Sequence, residues 1–233
     1  MSEKRGLRLD RVVLLGRTFD EYAAFFGFRP EEWEGLKVLD VASGVSSFCA
    51  EAAGKGIDAT GLDPIYEWQA SEIEKRCEPD LEAVFNAIGG LPVYRWKTSY
   101  ENPEQMKGLR RRAYRTFLEE FEAQRGRRYV AGRLPELPFA GRAFDVTLVS
   151  YLLFAYEDQL SYEFHRDSVA ELMRVTLREG RIYPMVTFEG ERSVYVDRLK
   201  SDPSLAHLRF EEVPTEFEFL IGSNAYLKIT HAF

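Results

Sequence analysis

The sequence predicts an α/β protein: a Rossmann-like, doubly wound and mostly parallel seven-stranded sheet, with an antiparallel C-terminal hairpin and a helical insertion. Three observations predict it. A strand, a tight turn, a helix and a second strand follow one another within residues 35–63, which is the pattern of a βαβ unit. The strand–helix rhythm stops there and resumes after residue 129. Residues 210–233 then change character, to alternating β-rich runs around Ile221-Gly222-Ser223-Asn224, a hairpin signal.

Each element has its own justification. Val13, Leu14, Phe19, Tyr22, Ala23 and Phe26 recur at roughly helical spacing and predict a helical cap over about residues 10–33, broken near Arg29-Pro30. Leu36, Val38, Leu39 and Val41 form a short apolar run ending at small residues, as a strand buried on both faces does. Ser46–Gly54 is a helix with a glycine stop, and Ile57–Asp63 a second strand ending in an acid. Residues 65–128 are more than one crossover helix needs and predict an inserted helical block. That block holds a helix around Ile65–Arg76, a loop with Gly89-Gly90, Pro92 and Trp96, and a long helix from Pro103 to Ala123. On the long helix Met106, Leu109, Ala113, Phe117 and Phe121 share one face. Tyr129–Ala131 and Phe144–Ser150 are strands, Phe164–Leu177 a helix, and Arg181–Phe188 a strand in which Pro184 marks an edge, a bulge or an end. The whole reads as one domain over residues 1–233.

Composition narrows the function. Hydrophobic residues are 45% and aromatics 14%, enough for a full core, which excludes disordered and collagen-like chains. The 38 acidic residues outnumber 31 basic ones, and a net charge of −7 argues against a dedicated nucleic-acid binder. Two cysteines, Cys49 and Cys77, are too few for a disulfide framework or a zinc site, and fit a reducing, cytoplasmic setting. No apolar run approaches the ~20 residues of a membrane-spanning helix, and the charged first ten residues are not a secretory signal.

The chemistry concentrates where the first two strands end. Asp40, Val41, Ala42, Ser43 and Gly44 form a strand end and turn whose small side chains let a ligand approach the backbone. Asp63, followed by Pro64, ends the second strand, where an acid accepts the hydroxyls of a ribose. A dinucleotide needs three glycines for its pyrophosphate, and only Gly44 stands in this turn. The Asp40 carboxylate would also repel a pyrophosphate. A ligand with an ammonium and a sulfonium tolerates it, which favours S-adenosyl-L-methionine over NAD.

On these residues the chain resembles the class I S-adenosylmethionine-dependent methyltransferases. Asp40, Ala42, Gly44 and Ser46 match the family's first motif, with one of its usual three glycines kept, and Asp63 matches the strand-two acid. Leu137-Pro138-Phe139 followed by Phe144-Asp145 matches the element leading into the fourth strand. The resemblance covers about residues 35–64 and 129–233. More narrowly, the chain is similar to a bacterial group of unassigned substrate, through Gly16-Arg17 with Tyr22, the arginine- and aromatic-rich stretch Tyr94–Tyr129, and Arg181-Ile182. The resemblance implies a transferase that binds S-adenosyl-L-methionine through Arg17, Tyr22, Asp40–Gly44, Asp63-Pro64, Gly132, Arg133, Leu134 and Ser150. Arg133 departs from the family, which often places an acid there near the adenine, so adenine contact falls to the backbone around Gly132–Leu134 or to stacking by Arg133. The Asn-Pro-Pro-aromatic motif of enzymes acting on DNA bases is absent, and Ser150-Tyr151-Leu152-Leu153 stands in its place.

Methyl transfer requires alignment and, for some acceptors, a base. Tyr151 and His165 are the catalytic candidates, Tyr151 read alternatively as a pocket-wall residue and His165 as a helix N-terminal histidine with structural bonds; Tyr156 is the substrate-binding candidate, and Glu157 and Asp158 lie on the same segment. The expected partner is a small-molecule acceptor, with no nucleic acid and no membrane, in an enclosed aromatic pocket closed by the N-terminal helix and the insertion. The alternatives are a protein or RNA methyltransferase and a non-catalytic S-adenosylmethionine-binding protein. Residues 107–128 hold eight basic residues against three acidic, read either as a grip for an anionic substrate or as a helix face paired with nearby acids. The number of copies in the assembly is left open.

Overall fold

The computed structural model describes residues 6, 7, 9 and 11–232. Its strands are β1 (Lys37–Val41), β2 (Asp58–Leu62), β3 (Tyr129–Val130), β4 (Phe144–Ser150), β5 (Thr176–Tyr183), β6 (Leu208–Pro214) and β7 (Ala225–His231). Its helices are α1 (Phe19–Phe26), α2 (Phe48–Ala53), α3 (Ala70–Ile88), α4 (Pro103–Gln124), α5 (Tyr162–Val175) and α6 (Val194–Ser201). The strands form one sheet in the order β3-β2-β1-β4-β5-β7-β6. β1 pairs in parallel with β2 on one side and β4 on the other, and β7 runs antiparallel between β5 and β6. This is a Rossmann-like, mostly parallel seven-stranded sheet closed by antiparallel C-terminal strands, as the sequence predicts. The chain builds outward from β1 to β3 and then crosses back to β4. That reversal opens a crevice at the carboxyl ends of β1 and β4.

Strand alternation decides what faces the crevice. Val38 joins the core on the α1, α2 and α4 side, whereas Leu39 and Val41 join the core beneath α5 and α6. Asp40 follows Val38, so its carboxylate points among the aromatic side chains under α1. Thr18 and Glu21 form a capping box at the start of α1, and Gly27 closes that helix with a φ of 59°. Gly16 lies against the turn after β1: a Cβ there would stand 2.1 Å from the Val45 carbonyl oxygen. No other residue permits that approach.

Several boundaries differ from the sequence reading. The cap predicted over about residues 10–33 is only α1 and a 3₁₀ turn at Pro30–Glu32, and residues 12–18 have no regular secondary structure. Gly16 and the Thr18 cap fix the chain in extended form up to residue 18. The predicted start at Asp10 lies outside the described residues, as does most of the charged N-terminus. In the insertion, Pro64–Glu67 forms a 3₁₀ turn and α3 starts at Ala70 and runs to Ile88. α5 stops at Val175, because Thr176 and Leu177 already belong to β5. β5 ends at Tyr183, just before Pro184, which has no N–H for the ladder. β6 is shorter than predicted, ending at Pro214; Phe217 and Phe219 leave the sheet to pack on Tyr100, Tyr94 and Trp96. α6 was not anticipated from sequence.

Candidate functional site

A cavity of about 670 Å³ opens at the carboxyl ends of β1, β2 and β4. Its base is Val41, Ala42, Ser43 and Gly44; one side is Asp63, Pro64 and Gly132–Leu134, and the other Ser150, Tyr151 and Tyr156. Arg17 and Tyr22 complete it. The structure therefore brings together fourteen of the sixteen residues singled out in the sequence. Asp40 and His165 are not on its wall.

The turn after β1 is set by unusual backbone. Ala42 and Gly44 have φ of 58° and 54°, and Tyr151, directly after β4, has 53°. An alanine and a tyrosine in this region are strained, and such residues cluster at ligand sites. A Cβ at Gly44 would meet nothing within 4 Å, so glycine there serves the backbone angle and leaves the cavity open.

Asp63 ties two turns together. Its Oδ2 accepts the Gly44 N–H at 3.0 Å and its Oδ1 accepts the Ile65 N–H at 3.0 Å. Burial pushes its carboxyl up to about 6, against the two N–H bonds that favour the anion. Each carboxylate oxygen retains a further acceptor position.

Asp40 stands one side chain behind the wall. The Tyr22 hydroxyl donates to it, with Oδ1 and Oδ2 at 3.0 and 2.9 Å, and Ser150 Oγ donates to Tyr22 Oη at 3.1 Å. The sequence placed Asp40 in direct contact with a ligand; the Tyr22 ring instead covers it. Asp40 is fully buried and makes no ion pair among the described residues. Burial pushes its carboxyl up to about 7, against the Tyr22 hydrogen bond and the nearby Ser43 hydroxyl, which favour the anion.

Arg17 lies over the Tyr151 ring, 3.9 Å from its centroid. Its Nη1 donates to the Leu15 carbonyl at 2.8 Å, while its Nε is buried with no partner. This guanidinium has hydrogen-bonding capacity to spare for a carboxylate. Burial raises the pKa of Tyr151, and raises that of Tyr156 to about 12, so neither phenol is a base near neutral pH.

His165 is elsewhere. It is fully buried on α5, its Nδ1 donating to the Ser161 carbonyl at 2.8 Å and its ring 4.7 Å from that of Tyr195. The phase of α5 presents Phe164 to the cavity and turns His165 away from it. Of the two readings of His165, base and structural histidine, its position fits the second.

The roof also corrects an expectation. It is the extended segment before α1, with Leu9 and Val12–Leu15, joined by Leu160, Phe164 and Phe188. The insertion contributes Trp68 and Arg76 to the wall but not its aromatic loop, since Tyr94, Trp96 and Tyr100 pack on Phe217 and Phe219. Its cations are largely spent inside the protein. Arg110 pairs with Glu21 at 2.6 Å, Arg111 with Glu78 at 2.5 Å and Arg128 with Glu120 at 2.5 Å, while Arg125 donates to the Tyr66 and Glu67 carbonyls. The paired reading holds for Lys107, Arg110, Arg111, Arg125 and Arg128. The apolar run Val12–Leu15 beside Gly16-Arg17 was the available signal for the roof. Among the described residues no helix is long and apolar enough to cross a membrane, and no His, Cys, Asp and Glu cluster suits a metal ion.

The Methanocaldococcus jannaschii protein MJ0045, described as uncharacterized, is 36% identical over 227 residues, spanning 97% of this chain and 99% of that protein. This chain belongs to its family. The match spans nearly the whole of both chains and is not confined to the sheet. The narrower resemblance was to a bacterial group, whereas this relative of the MJ0045 family is archaeal. No family model matches the chain. Among solved structures, the PH0226 protein of Pyrococcus horikoshii is similar at 13% identity and a TM-score of 0.48, over 92% of this chain and 87% of that one. Magnesium protoporphyrin IX methyltransferase of Synechocystis, with bound SAM, is similar at 14% identity and a TM-score of 0.46, over 92% and 78%. Both are likenesses of fold.

Proposed function

We propose that this chain is an S-adenosyl-L-methionine-dependent methyltransferase acting on a small-molecule acceptor, with residues 1–233 as one domain into which α3 and α4 are inserted. The observation that carries this reading is the Ala42–Gly44 turn clasped to Asp63, opening into a single cavity that reaches across to Ser150 and Tyr151. The residues suit the cofactor. Asp63 has acceptor positions for a ribose, Gly132–Leu134 border the adenine side, and the orphan Arg17 Nε is free for the amino-acid carboxylate. When bound, the sulfonium supplies an activated methyl group. The protein contributes orientation, exclusion of water under an apolar roof, and a place for the acceptor beside Tyr151 and Tyr156. The roof and the internally paired arginines favour a small acceptor over RNA or protein. Two buried free thiols suit a reducing, cytoplasmic setting.

A thermal-shift series tests this. S-adenosylhomocysteine at about 100 times its dissociation constant adds roughly 2.7 kcal/mol, and each kcal/mol raises the Tm of a domain this size by about 2–4 °C. NAD is expected to give no shift. Asp63→Ala is expected to weaken the sulfur ligand by about 1.5–3 kcal/mol, and also to lower the ligand-free Tm, because Asp63 holds the Gly44 and Ile65 amides. A shift with NAD and none with S-adenosylhomocysteine would remove the methyltransferase reading.

A further inference from the structure

Asp40 is the buried acid that the binding scheme leaves without a task. No arginine or lysine pairs with it among the described residues, and its two oxygens share one donor, the Tyr22 hydroxyl at 3.0 and 2.9 Å. Replacing it by a small apolar residue would relieve the cost of burying a carboxylate. The hydrogen bonds have a direction. Ser150 Oγ donates to Tyr22 Oη, and Tyr22 donates to Asp40, so the chain of hydroxyls runs from the cavity wall into the core. Ser150 lines the cavity directly after the sheet's central crossover, and its oxygen lone pairs remain free to accept. The other groups around Asp40 are the Ser43 hydroxyl of the turn, Cys49 of α2 and Asp63 at the end of β2. None of them is a cation.

We propose that Asp40 is the proton acceptor of this site, working through Tyr22 and Ser150, and that the methyl acceptor is a hydroxyl or amine on an apolar body. This rests on the methyltransferase reading above. The acceptor donates its hydrogen bond to Ser150 Oγ. As its lone pair forms the new bond to the methyl carbon, the carbon–sulfur pair returns to sulfur. The acceptor proton passes to Ser150, the Ser150 proton to Tyr22 and the Tyr22 proton to Asp40. Asp40 starts as a carboxylate and ends as a carboxylic acid, which later returns one proton to water. The positive charge of the sulfonium and the negative charge of Asp40 vanish together, so the buried site never carries a net charge it cannot balance. A carboxylate acceptor brings no proton and would leave the relay idle. The apolar side chains Leu9, Val13, Leu15, Phe164 and Phe188 suit the body of the acceptor. Burial places Asp40 near 7, within reach of both protonation states at neutral pH.

The test is a ¹³C NMR titration of the S-adenosylhomocysteine complex labelled at the aspartate Cγ, with Asp40→Asn assigning the resonance. Asp40 is expected to titrate in the neutral range, and Tyr22→Phe to raise its proton affinity about tenfold by deleting the donor. Ser150→Ala should move the same midpoint upward by less, and Ser150→Thr, which keeps the hydroxyl, should restore it. In parallel, single-turnover transfer from methyl-labelled S-adenosylmethionine to 4-butylphenol and to benzylamine should rise with pH along the Asp40 titration. Tyr22→Phe and Ser150→Ala should slow it about 10²-fold or more, with recovery in Ser150→Thr. If neither probe is methylated, the titration decides. An Asp40 that stays ionised down to pH 5, or a midpoint unmoved by Tyr22→Phe, overturns the relay while leaving the methyltransferase reading intact. Calorimetry showing no binding of S-adenosylhomocysteine overturns both.

Discussion

Glu21 and Asp40 are two buried carboxylates in contact with neighbouring positions of the same helix, and they have opposite fates. Glu21, on α1, meets Arg110 Nη1 at 2.6 and 2.7 Å, the Thr18 N–H at 2.9 Å and the Tyr100 hydroxyl. Burial alone would raise its pKa, but Arg110 and these hydrogen bonds bring it below the usual range. Asp40, touched by Tyr22 one residue further along, has a hydroxyl where Glu21 has a guanidinium, and its pKa rises to about 7. The first arrangement fastens α1 to α4. The second lies against the cavity. Complete pairing makes a structural joint, and incomplete pairing leaves a group that can change its charge.

Breaking the joint should have the largest effect. Arg110→Met leaves Glu21 buried without its cation and is expected to cost about 3–5 kcal/mol of folding stability, measured by urea denaturation. A loss below 1 kcal/mol would mean that Glu21 is rescued by protonation or water, and that the two acids differ less than their contacts imply.

The contrast also has a pH form. The folded-state pKa of Asp40 is raised above its unfolded value near 3.8, so the native state holds more protons than the unfolded one between about 4 and about 7. Its stabilising contribution is full below pH 4 and is lost as pH rises to about 7. Glu21, with a lowered pKa, behaves in reverse: its contribution is present above the unfolded pKa and lost as pH falls. Stability of Asp40→Asn relative to the parent should therefore improve steadily from pH 4 to 7 and level off above that, read from urea midpoints at each pH. A difference that does not vary with pH would remove Asp40 as a titrating group.

The smallest effect is expected on the outer face of the insertion. Arg111 pairs with Glu78 and Glu82 but is a third exposed, as the carboxylates are or more so. Arg111→Ala should cost about 0–1 kcal/mol, and 0.5 M salt should erase most of it. A loss comparable to that of Arg110→Met would show that burial does not separate the two arginines of one helix.

The sheet was readable because its strands carry local signals: Leu36–Val41 stops at small residues, and Phe144–Ser150 is rich in apolar and β-branched residues and bounded as predicted. The tips of those strands carry the cavity, which is why Ala42–Gly44, Asp63 and Ser150 could be named from order alone. The roof was not readable, since an apolar spacing that suits a helix suits equally a strap laid over a hollow. His165 was named for its imidazole, whereas its burial depends on the rotational phase of α5 against neighbours such as Tyr195. The choice between the two readings of the arginines was closed to the sequence for a third reason: Arg110 finds its partner 89 residues away, a distance that no local pattern encodes. The relay through Tyr22 has the same character, joining residues 18 and 128 positions apart.

The strap over the cavity is held from outside the sheet. Asp80, buried on α3, receives the Leu14 N–H at 2.9 Å, Arg11 at 2.5 Å and Arg76 at 3.1 Å. Three attachments meet at one carboxylate, and one of the donors, Arg76, also lines the cavity. The strap is thereby fastened from the insertion, which supplies the anchor without supplying the roof. A ligand that lifts the strap must release the Leu14 amide from Asp80, so traffic through the opening and the firmness of α3 are coupled. Sequence change around Asp80 can then loosen or tighten the strap without altering Asp63, Ser150 or Tyr151 at the strand ends.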